Sequence, residues 1–328
     1  MKNIMTVTLS LLSLIAISAV TRPVPTGSST LGVFVASSPC DAASRPLLKI
    51  PGTANCELIK WNLTLDQDPS TLAPTTYRLS YVYGLPEQGT NGLSRGEIKV
   101  ERQGRWAIVR GTKTSADATV YQLDPDKPQE SVSFLKVDHN LIHLLDRDGS
   151  LMVGSAGWSY TLNLVGGYRR HTQPSDPLSI STVKPDSPMA SAPPTAAGSS
   201  VVGAFVGRSP CHEVAAQLNQ AVNDNCAKVK WDLTLYQDPN RLTPTMYKLR
   251  GTFHRERAGE GRWAIVRGTK KDPAAVVYQL DPDKPQGSLF LLKADDNILL
   301  FLDKDRNLMV GNSDFSYTLN RAKNVLKN

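Results

Sequence analysis

The chain has few His and Cys residues, and it lacks two of the usual catalytic motifs. Its 328 residues include only five His and four Cys. It contains no His-Glu-x-x-His helix and no phosphate-binding glycine loop. We therefore expect no catalytic residue, no bound cofactor and no enzymatic activity; a hydrolase is the rival that this expectation rejects.

Long apolar runs are also missing after the N-terminus, which itself reads as a signal peptide. Lys2 precedes an apolar run from Val7 to Val20 that is too short to span a bilayer. We expect a signal peptide over residues 1–19 and a periplasmic or secreted mature protein; an uncleaved anchor is the alternative. This window holds no Cys for lipid attachment. No later run approaches ~18 apolar residues, so we expect no transmembrane segment in the mature chain.

A concentrated basic surface is absent as well. The net charge is +7, but the basic residues are scattered, and their one cluster lies at residues 168–171. No basic stripe alternates with stacking aromatic residues. We therefore expect no nucleic-acid partner.

The main feature of the sequence is an internal duplication: two copies of one domain follow each other along the chain. Residues 104–112 and 261–269 are identical, and residues 121–129 recur unchanged at 278–286. Shorter segments recur in the same order. They are Trp61 to Leu65 with Trp231 to Leu235, Leu151 to Gly154 with Leu308 to Gly311, and Ser159 to Asn163 with Ser316 to Asn320.

The offset between the copies falls from 170 to 157 between Tyr81 and Gln103, so the first copy carries about 13 extra residues there. This stretch is polar and rich in turn residues. Because insertions are tolerated best at hairpin tips, we expect the flanking segments to be paired strands.

These offsets divide the chain into two domains, residues 30–165 and 200–323. Residues 166–199 between them are rich in Pro, Ser, Thr and Ala, which is typical of a flexible linker. We expect the two domains to move relative to each other.

The second copy predicts an all-β fold. Val229, Trp231, Leu233 and Leu235 alternate with polar residues, as in a half-buried strand. Six similar segments follow, separated by Asp-, Pro- and Asn-rich turns, and one short helix is expected over residues 212–222. The matching segment of the first copy, residues 41–54, contains two Pro and should form at most one helical turn. We expect two tandem antiparallel β-barrels, because closing a meander removes its edges.

Each copy has two Cys at matching places, Cys40 and Cys56 and then Cys211 and Cys226. Four Cys allow three connectivities. If the copies fold alike, the bonds are Cys40–Cys56 and Cys211–Cys226, and an exported chain meets the oxidising conditions that form them. The alternative is a soft-metal thiolate site. It would need further ligands, for which only Met152 and Met309 recur, so we assign no metal ligand.

The order of these elements resembles the N-terminal domain of the NlpE family, bacterial copper-resistance and envelope-stress lipoproteins. The resemblance covers nearly all of the mature chain. It implies a small lipocalin-like β-barrel for each copy, and a link to copper sensing. Its motifs in the first copy are Gly32-Val-Phe34, Pro39-Cys40, Cys56, Ile59 to Leu65, Tyr77-Arg-Leu79, Gly104-Arg-Trp106, Leu144-Leu-Asp146 and Tyr160-Thr-Leu162. Those in the second copy are Gly203-Ala-Phe205, Pro210-Cys211, Cys226, Val229 to Leu235, Tyr247-Lys-Leu249, Gly261-Arg-Trp263 and Tyr317-Thr-Leu319.

We therefore expect a non-catalytic binding or interaction module of the cell envelope. Its partner would be a small apolar ligand in the barrel or an envelope protein. A copper-linked sensor or metal-binding protein is the alternative. Four recurring Trp are expected to pack in the cores, the alternative being that they line a barrel mouth: Trp61, Trp106, Trp231 and Trp263.

Overall fold

A computed structural model describes residues 29–166, 198–284 and 287–322. The predicted signal peptide and residues 167–197 of the predicted linker lie outside this range. Each copy of the repeat forms one closed, eight-stranded antiparallel barrel, which we call barrel 1 and barrel 2. The all-β, two-barrel prediction is confirmed.

The strands follow one another around each barrel in chain order. Those of barrel 1 are β1 (Ser29–Pro39), β2 (Leu58–Gln67), β3 (Pro74–Gly84), β4 (Ile98–Arg110), β5 (Thr119–Leu123), β6 (Val132–Lys136), β7 (Leu141–Leu144) and β8 (Thr161–Leu164). Those of barrel 2 are β9 (Ser200–Pro210), β10 (Lys228–Gln237), β11 (Pro244–Gly251), β12 (His254–Arg267), β13 (Val276–Leu280), β14 (Leu289–Lys293), β15 (Ile298–Leu302) and β16 (Thr318–Arg321).

Each barrel closes between its first and last strands. In barrel 1, Phe34 is paired with Leu164 and Val35 with Asn163, and β9 and β16 close barrel 2 in the same way. The alternating pattern works as the sequence predicts. Trp61 and Leu63 point into the core, whereas Asn62 between them is exposed.

A short helix follows the first strand in both copies: α1 (Ser44–Leu48) and α2 (His212–Gln217). Helix α1 is slightly longer than the single turn expected, because Pro46 lies in its first turn, where no backbone N–H is needed. Helix α2 ends earlier than expected. Asn219 adopts a left-handed conformation (φ 52°), and the next N–H bonds back to Ala215 O, which stops the helix. Within the described residues, neither helix is long and apolar enough to cross a membrane.

The extra residues of the first copy lie where the sequence predicts. They extend the β3–β4 hairpin and form its loop, residues 85–97, whereas only two residues separate β11 from β12. The insertion therefore lengthens one hairpin and leaves the barrel topology unchanged.

The two barrels pack against each other through a buried face. Asn163 and Asn320 occupy equivalent positions in β8 and β16, and each side chain hydrogen-bonds to the backbone of the other barrel. The two sets of bonds match, as in the contact of a two-fold dimer. They join Asn163 Nδ2 to Asn312 O (3.1 Å), Gly311 N to Asn163 Oδ1 (2.8 Å), Asn320 Nδ2 to Ser155 O (3.3 Å) and Gly154 N to Asn320 Oδ1 (2.8 Å).

Equivalent residues also meet each other at the centre of this contact. The hydroxyls of Ser159 and Ser316 are 2.5 Å apart, and Thr318 donates to Thr161 at 2.9 Å. An apolar cluster beside them draws on both barrels; its buried members are Val120, Leu145 and Leu151 with Ile298 and Leu300. We call the two asparagines, these hydroxyls and this cluster the joint face. Because the joint face is buried, the independent domain movement expected from the linker composition is not what the structure shows.

His143 breaks the symmetry of the joint face. It is fully buried beside Thr161, with its Nδ1 2.9 Å from Thr161 Oγ1 and its Nε2 2.9 Å from Met152 O. The equivalent residue in barrel 2 is Leu300. Burial lowers the pKa of His143 from its ordinary 6.5 to about 4. The neutral imidazole is therefore the form that the joint face accommodates.

The joint face should make a measurable contribution to stability. Replacing Asn163 by Ala leaves Gly311 N and Asn312 O without their partner, which should lower the free energy of unfolding by about 1–3 kcal/mol. The Asn320→Ala substitution should cost about the same. The matched control is Asn62→Ala, because Asn62 is exposed on β2; it is expected to change stability by less than about 0.5 kcal/mol. Urea unfolding measures all three; equal effects of Asn163→Ala and Asn62→Ala would contradict the joint face.

Acid should weaken the protein through His143. The unfolded histidine binds a proton near pH 6.5 and the folded one only near pH 4, so its contribution is complete above pH 6.5 and is lost as the pH falls to 4. The loss should be about 3 kcal/mol. The His143→Leu substitution, which copies barrel 2, should flatten this part of the pH–stability curve. An unchanged slope between pH 6.5 and 4 would refute the assignment.

Candidate functional site

A cavity of about 430 Å³ opens at one end of barrel 1. Consecutive strands of barrel 1 run in opposite directions, so one end of the barrel collects the connections β1–β2, β3–β4 and β5–β6. The cavity lies at that end. Helix α1, the β3–β4 hairpin and the β5–β6 loop therefore come together around the opening. We call it the mouth cavity, and the side chains that the argument uses are Leu48, Tyr81, Tyr83, Val100, Arg102 and Asp124.

The extended hairpin builds one wall of the mouth cavity. Strand β3 continues to Gly84, whereas β11 stops at Gly251, the equivalent of Tyr81. Tyr81 is paired with Val100 of β4, and Tyr83 follows on the same face of β3. The wall is therefore a direct consequence of the residues inserted in the first copy.

A charged cluster lies at the base of this wall. Tyr77 donates its hydroxyl to Asp124 Oδ2 at 2.5 Å, and Arg102 Nη2 donates to the same oxygen at 3.1 Å and to Glu130 O at 2.9 Å. Burial raises the pKa of Tyr77, and the hydrogen bond to Asp124 raises it further. The phenol therefore stays protonated near neutral pH and acts as a fixed donor.

The approach of Asp124 depends on a glycine. A Cβ atom at Gly104 would lie 2.2 Å from Asp124 Oδ1 and 2.9 Å from Tyr77 Cε1. Asp124 itself has a positive φ of 49°. Its backbone N–H donates to Arg105 O, and this hydrogen bond helps to hold that conformation. The same geometry recurs in barrel 2, which accounts for two of the repeated motifs.

Arg102 is only partly satisfied. Its side chain is 14% exposed, and its Nη1 atom is buried without a hydrogen-bond partner within the described part of the chain. The guanidinium is charged at every physiological pH. An unpartnered buried donor on a charged group is costly, about 1–3 kcal/mol or more, so such a position calls for a reason.

Two tyrosines give the cavity an aromatic lining. The rings of Tyr81 and Tyr83 stack with centroids 6.4 Å apart. Tyr81 donates its hydroxyl to Leu48 O of α1 at 2.6 Å, which ties the helix to the extended hairpin. The mouth cavity thus combines an aromatic surface with a buried cation.

Barrel 2 has the same frame with different side chains. Tyr247 donates to Asp281 at 2.9 Å as Tyr77 does to Asp124. The equivalent of Arg102 is Gly259, and the ring of His254 lies where a side chain there would point, 2.8 Å from its Cβ position. The Tyr–Asp pair therefore belongs to the fold, whereas Arg102 belongs to barrel 1 alone.

The four predicted cysteines lie at the same end of their barrels as the helices. Cys40 is bonded to Cys56 and Cys211 to Cys226, with Cα–Cα distances of 5.6 and 5.7 Å. Each bond joins the end of the first strand to the chain just before the second strand. No free cysteine occurs in the described chain.

The recurring Trp and Met residues are core residues, and none of them lines the mouth cavity. Trp61, Trp106, Trp231 and Trp263 are buried. Each indole N–H has a partner; for example, Trp61 donates to Ser38 Oγ at 2.7 Å and Trp106 to Asp66 O at 2.7 Å. Met152 and Met309 are buried too. Core packing, the main expectation for the Trp residues, is correct.

Sequence reasoning missed the partners of Asp124 and overlooked one motif. Asp124 lies in a Pro-containing turn, where Asp usually bonds to the turn backbone, as Asp146 does. Residues 92–96 have the Gly-x-Ser-x-Gly spacing. They form part of the exposed β3–β4 loop, where Ser94 donates to Leu85 O at 3.0 Å, and they do not form a strand-to-helix elbow.

Comparison with family models, with curated proteins and with solved structures gives no match. Among residues 29–166, 198–284 and 287–322, no group of three or more His, Cys, Asp or Glu side chains is placed to hold a metal ion. The mouth cavity is thus the candidate site that the geometry itself defines.

The Gly104 requirement can be tested directly. The Gly104→Ala substitution should separate Asp124 from Tyr77 and lower the free energy of unfolding by about 1–3 kcal/mol. Gly52→Ala is the control, because nothing lies within 4 Å of the added carbon. Its effect should stay within about 0.5 kcal/mol. Thermal unfolding of both variants gives the comparison, and a Gly104→Ala variant as stable as the control would disprove the steric argument.

Proposed function

We propose that this protein is an exported, non-catalytic binding module of the cell envelope and that its ligand occupies the mouth cavity of barrel 1. The observation that carries the proposal is the difference between the two barrels. Both have the same topology and the same Tyr–Asp pair. Barrel 1 adds Tyr81, Tyr83 and Arg102, and barrel 2 closes without these side chains.

The size and lining of the mouth cavity support this proposal. About 430 Å³ lies within the range of small-molecule sites, roughly 300–1,000 Å³. Such sites combine apolar and aromatic surface with a few placed polar groups. Leu48 and Val100 supply the first, and Arg102 and Asp124 the second.

The location rests on two independent features. The N-terminal sequence has the charge and apolar core of a secretory signal. Each barrel also contains one disulfide, and disulfides persist in oxidising compartments. Together they favour a periplasmic or secreted protein.

A copper-linked sensor is the second candidate, and the resemblance to the NlpE family is what favours it. All four cysteine sulfur atoms are in disulfides, so thiolate binding of Cu(I) would first require reduction. Thiol titration of the purified protein, followed by Cu(I) titration after reduction, separates the candidates. Four blocked thiols and no tight Cu(I) uptake after reduction would favour the binding module.

The cavity itself is tested with an uncharged dye, N-phenyl-1-naphthylamine, whose fluorescence rises in apolar sites. Val100→Trp should fill the cavity and weaken dye binding by about tenfold or more, since the apolar contacts of a ring of this size are lost. Ile108→Trp is the matched control, because Ile108 is exposed on the same strand and does not line the cavity. It should bind the dye as the unmodified protein does.

Near-ultraviolet circular dichroism should confirm that both Trp variants keep the native fold. Absence of dye binding to the unmodified protein would refute the proposal. Binding that survives Val100→Trp unchanged would refute it too, because the dye would then lie elsewhere.

A further inference from the structure

We infer that the mouth cavity takes a small apolar molecule carrying one anionic oxygen group, such as a carboxylate or a sulfonate, with the anion at Arg102. This inference rests on the proposed function and names the ligand class of the same site. It is argued from the charges around the cavity and from what barrel 2 does without.

Arg102 is not required to complete the Tyr–Asp pair. In barrel 2 the Asp281 carboxylate accepts the Tyr247 hydroxyl with glycine at the Arg102 position, and the barrel still closes. The only ion pair of Asp281 in the described part of barrel 2 is with Lys284, whose Nζ lies 3.6 Å from Asp281 Oδ2. An arginine that is only 14% exposed and that the fold can omit is better explained by a ligand than by stability, because its pairing with Asp124 leaves Nη1 without a partner.

The acidic groups around the cavity are already engaged. Asp124 Oδ2 accepts from both Tyr77 and Arg102, and Glu130 pairs with Lys49 at 2.6 Å. Glu101, which also borders the cavity, pairs with Lys99 at 2.6 Å. No carboxylate on the wall is therefore left to recognise a cationic ligand.

The uncommitted charge at the cavity is positive. Lys127 lines it and makes no ion pair within the described residues; Arg102 is paired with Asp124 through Nη2, and only its Nη1 has no partner there. Because the guanidinium charge is delocalised, an anion at its exposed edge interacts with the whole group. Such an anion would also balance the Lys127 charge at the rim.

The remaining lining residues indicate that the body of the ligand is apolar. Tyr81 and Tyr83 present stacked rings, and Leu48 and Val100 add aliphatic surface. An aromatic or aliphatic body fits these groups and the cavity of about 430 Å³, whereas a small inorganic anion would fill little of it. The apolar lining and Arg102 together specify an amphiphilic anion.

Two dyes with the same aromatic body test this inference. 8-Anilinonaphthalene-1-sulfonate carries an anionic group, and N-phenyl-1-naphthylamine lacks it. The unmodified protein should bind the sulfonate dye about tenfold more tightly than the uncharged dye, which corresponds to one charge-assisted hydrogen bond. Arg102→Gly, which copies barrel 2, should remove this preference, and Arg102→Lys should keep part of it.

Arg105→Gly is the control variant. Arg105 lies on the same strand with its side chain exposed, so the substitution has the same backbone cost and removes the same charge outside the cavity. It should leave the preference for the sulfonate dye intact. The sulfonate dye also binds partly folded chains, so the variants are compared once near-ultraviolet circular dichroism shows native packing.

The outcomes separate the inference from the function on which it rests. If both dyes bind, both are displaced by Val100→Trp, and Arg102→Gly leaves their ratio unchanged, the cavity is a ligand site and the anion assignment is wrong. An equal loss of preference in Arg105→Gly also overturns it, since the effect would then be the net charge of the surface. Failure of both dyes to bind the unmodified protein removes the function as well.

Discussion

Closure of each barrel by a four-residue strand is the constraint on which the rest of the structure depends. Strand β8 is paired with β1 at only two positions, and β16 closes barrel 2 in the same way. Because side chains alternate along a strand, Leu162 lies in the barrel core while Thr161 and Asn163 face the other barrel. The residues that remove the sheet edges thus also build the joint face, and the two barrels depend on each other through them.

The mouth cavity shows how an insertion changes a site without changing a fold. A closed barrel fixes the position of every strand, but a hairpin can extend beyond the barrel end, because only its two strands need to pair there. In barrel 1 this extension places Tyr81 and Tyr83 beside α1, and Arg102 then points into the space between them. Barrel 2 has a short hairpin, and His254 covers Gly259 instead.

Much of the fold could be read from the sequence because it follows from short-range patterns. Strand alternation, the turn residues and the duplicated cysteines predict two closed barrels with one disulfide each. The end of α2 could not be read in this way, because it depends on the left-handed conformation of Asn219 rather than on helical periodicity. The Tyr77–Asp124 bond was missed for a different reason, since it joins residues 47 positions apart that only the barrel brings together.

The joint face accounts for one repeated segment of the sequence that the alternation of polar and apolar residues along strands does not explain. In a two-fold contact, residue i meets residue j and j meets i, so a residue that fits the contact in one copy also fits it in the other. Segments 159–163 and 316–320 are identical, and their polar members Ser159, Thr161 and Asn163 meet or mirror their own counterparts. No such relation links the mouth positions, because each mouth belongs to one barrel. The mouths share the Tyr–Asp pair and Lys127 with its counterpart Lys284, and they differ at Tyr81 and Arg102, whose equivalents are glycines.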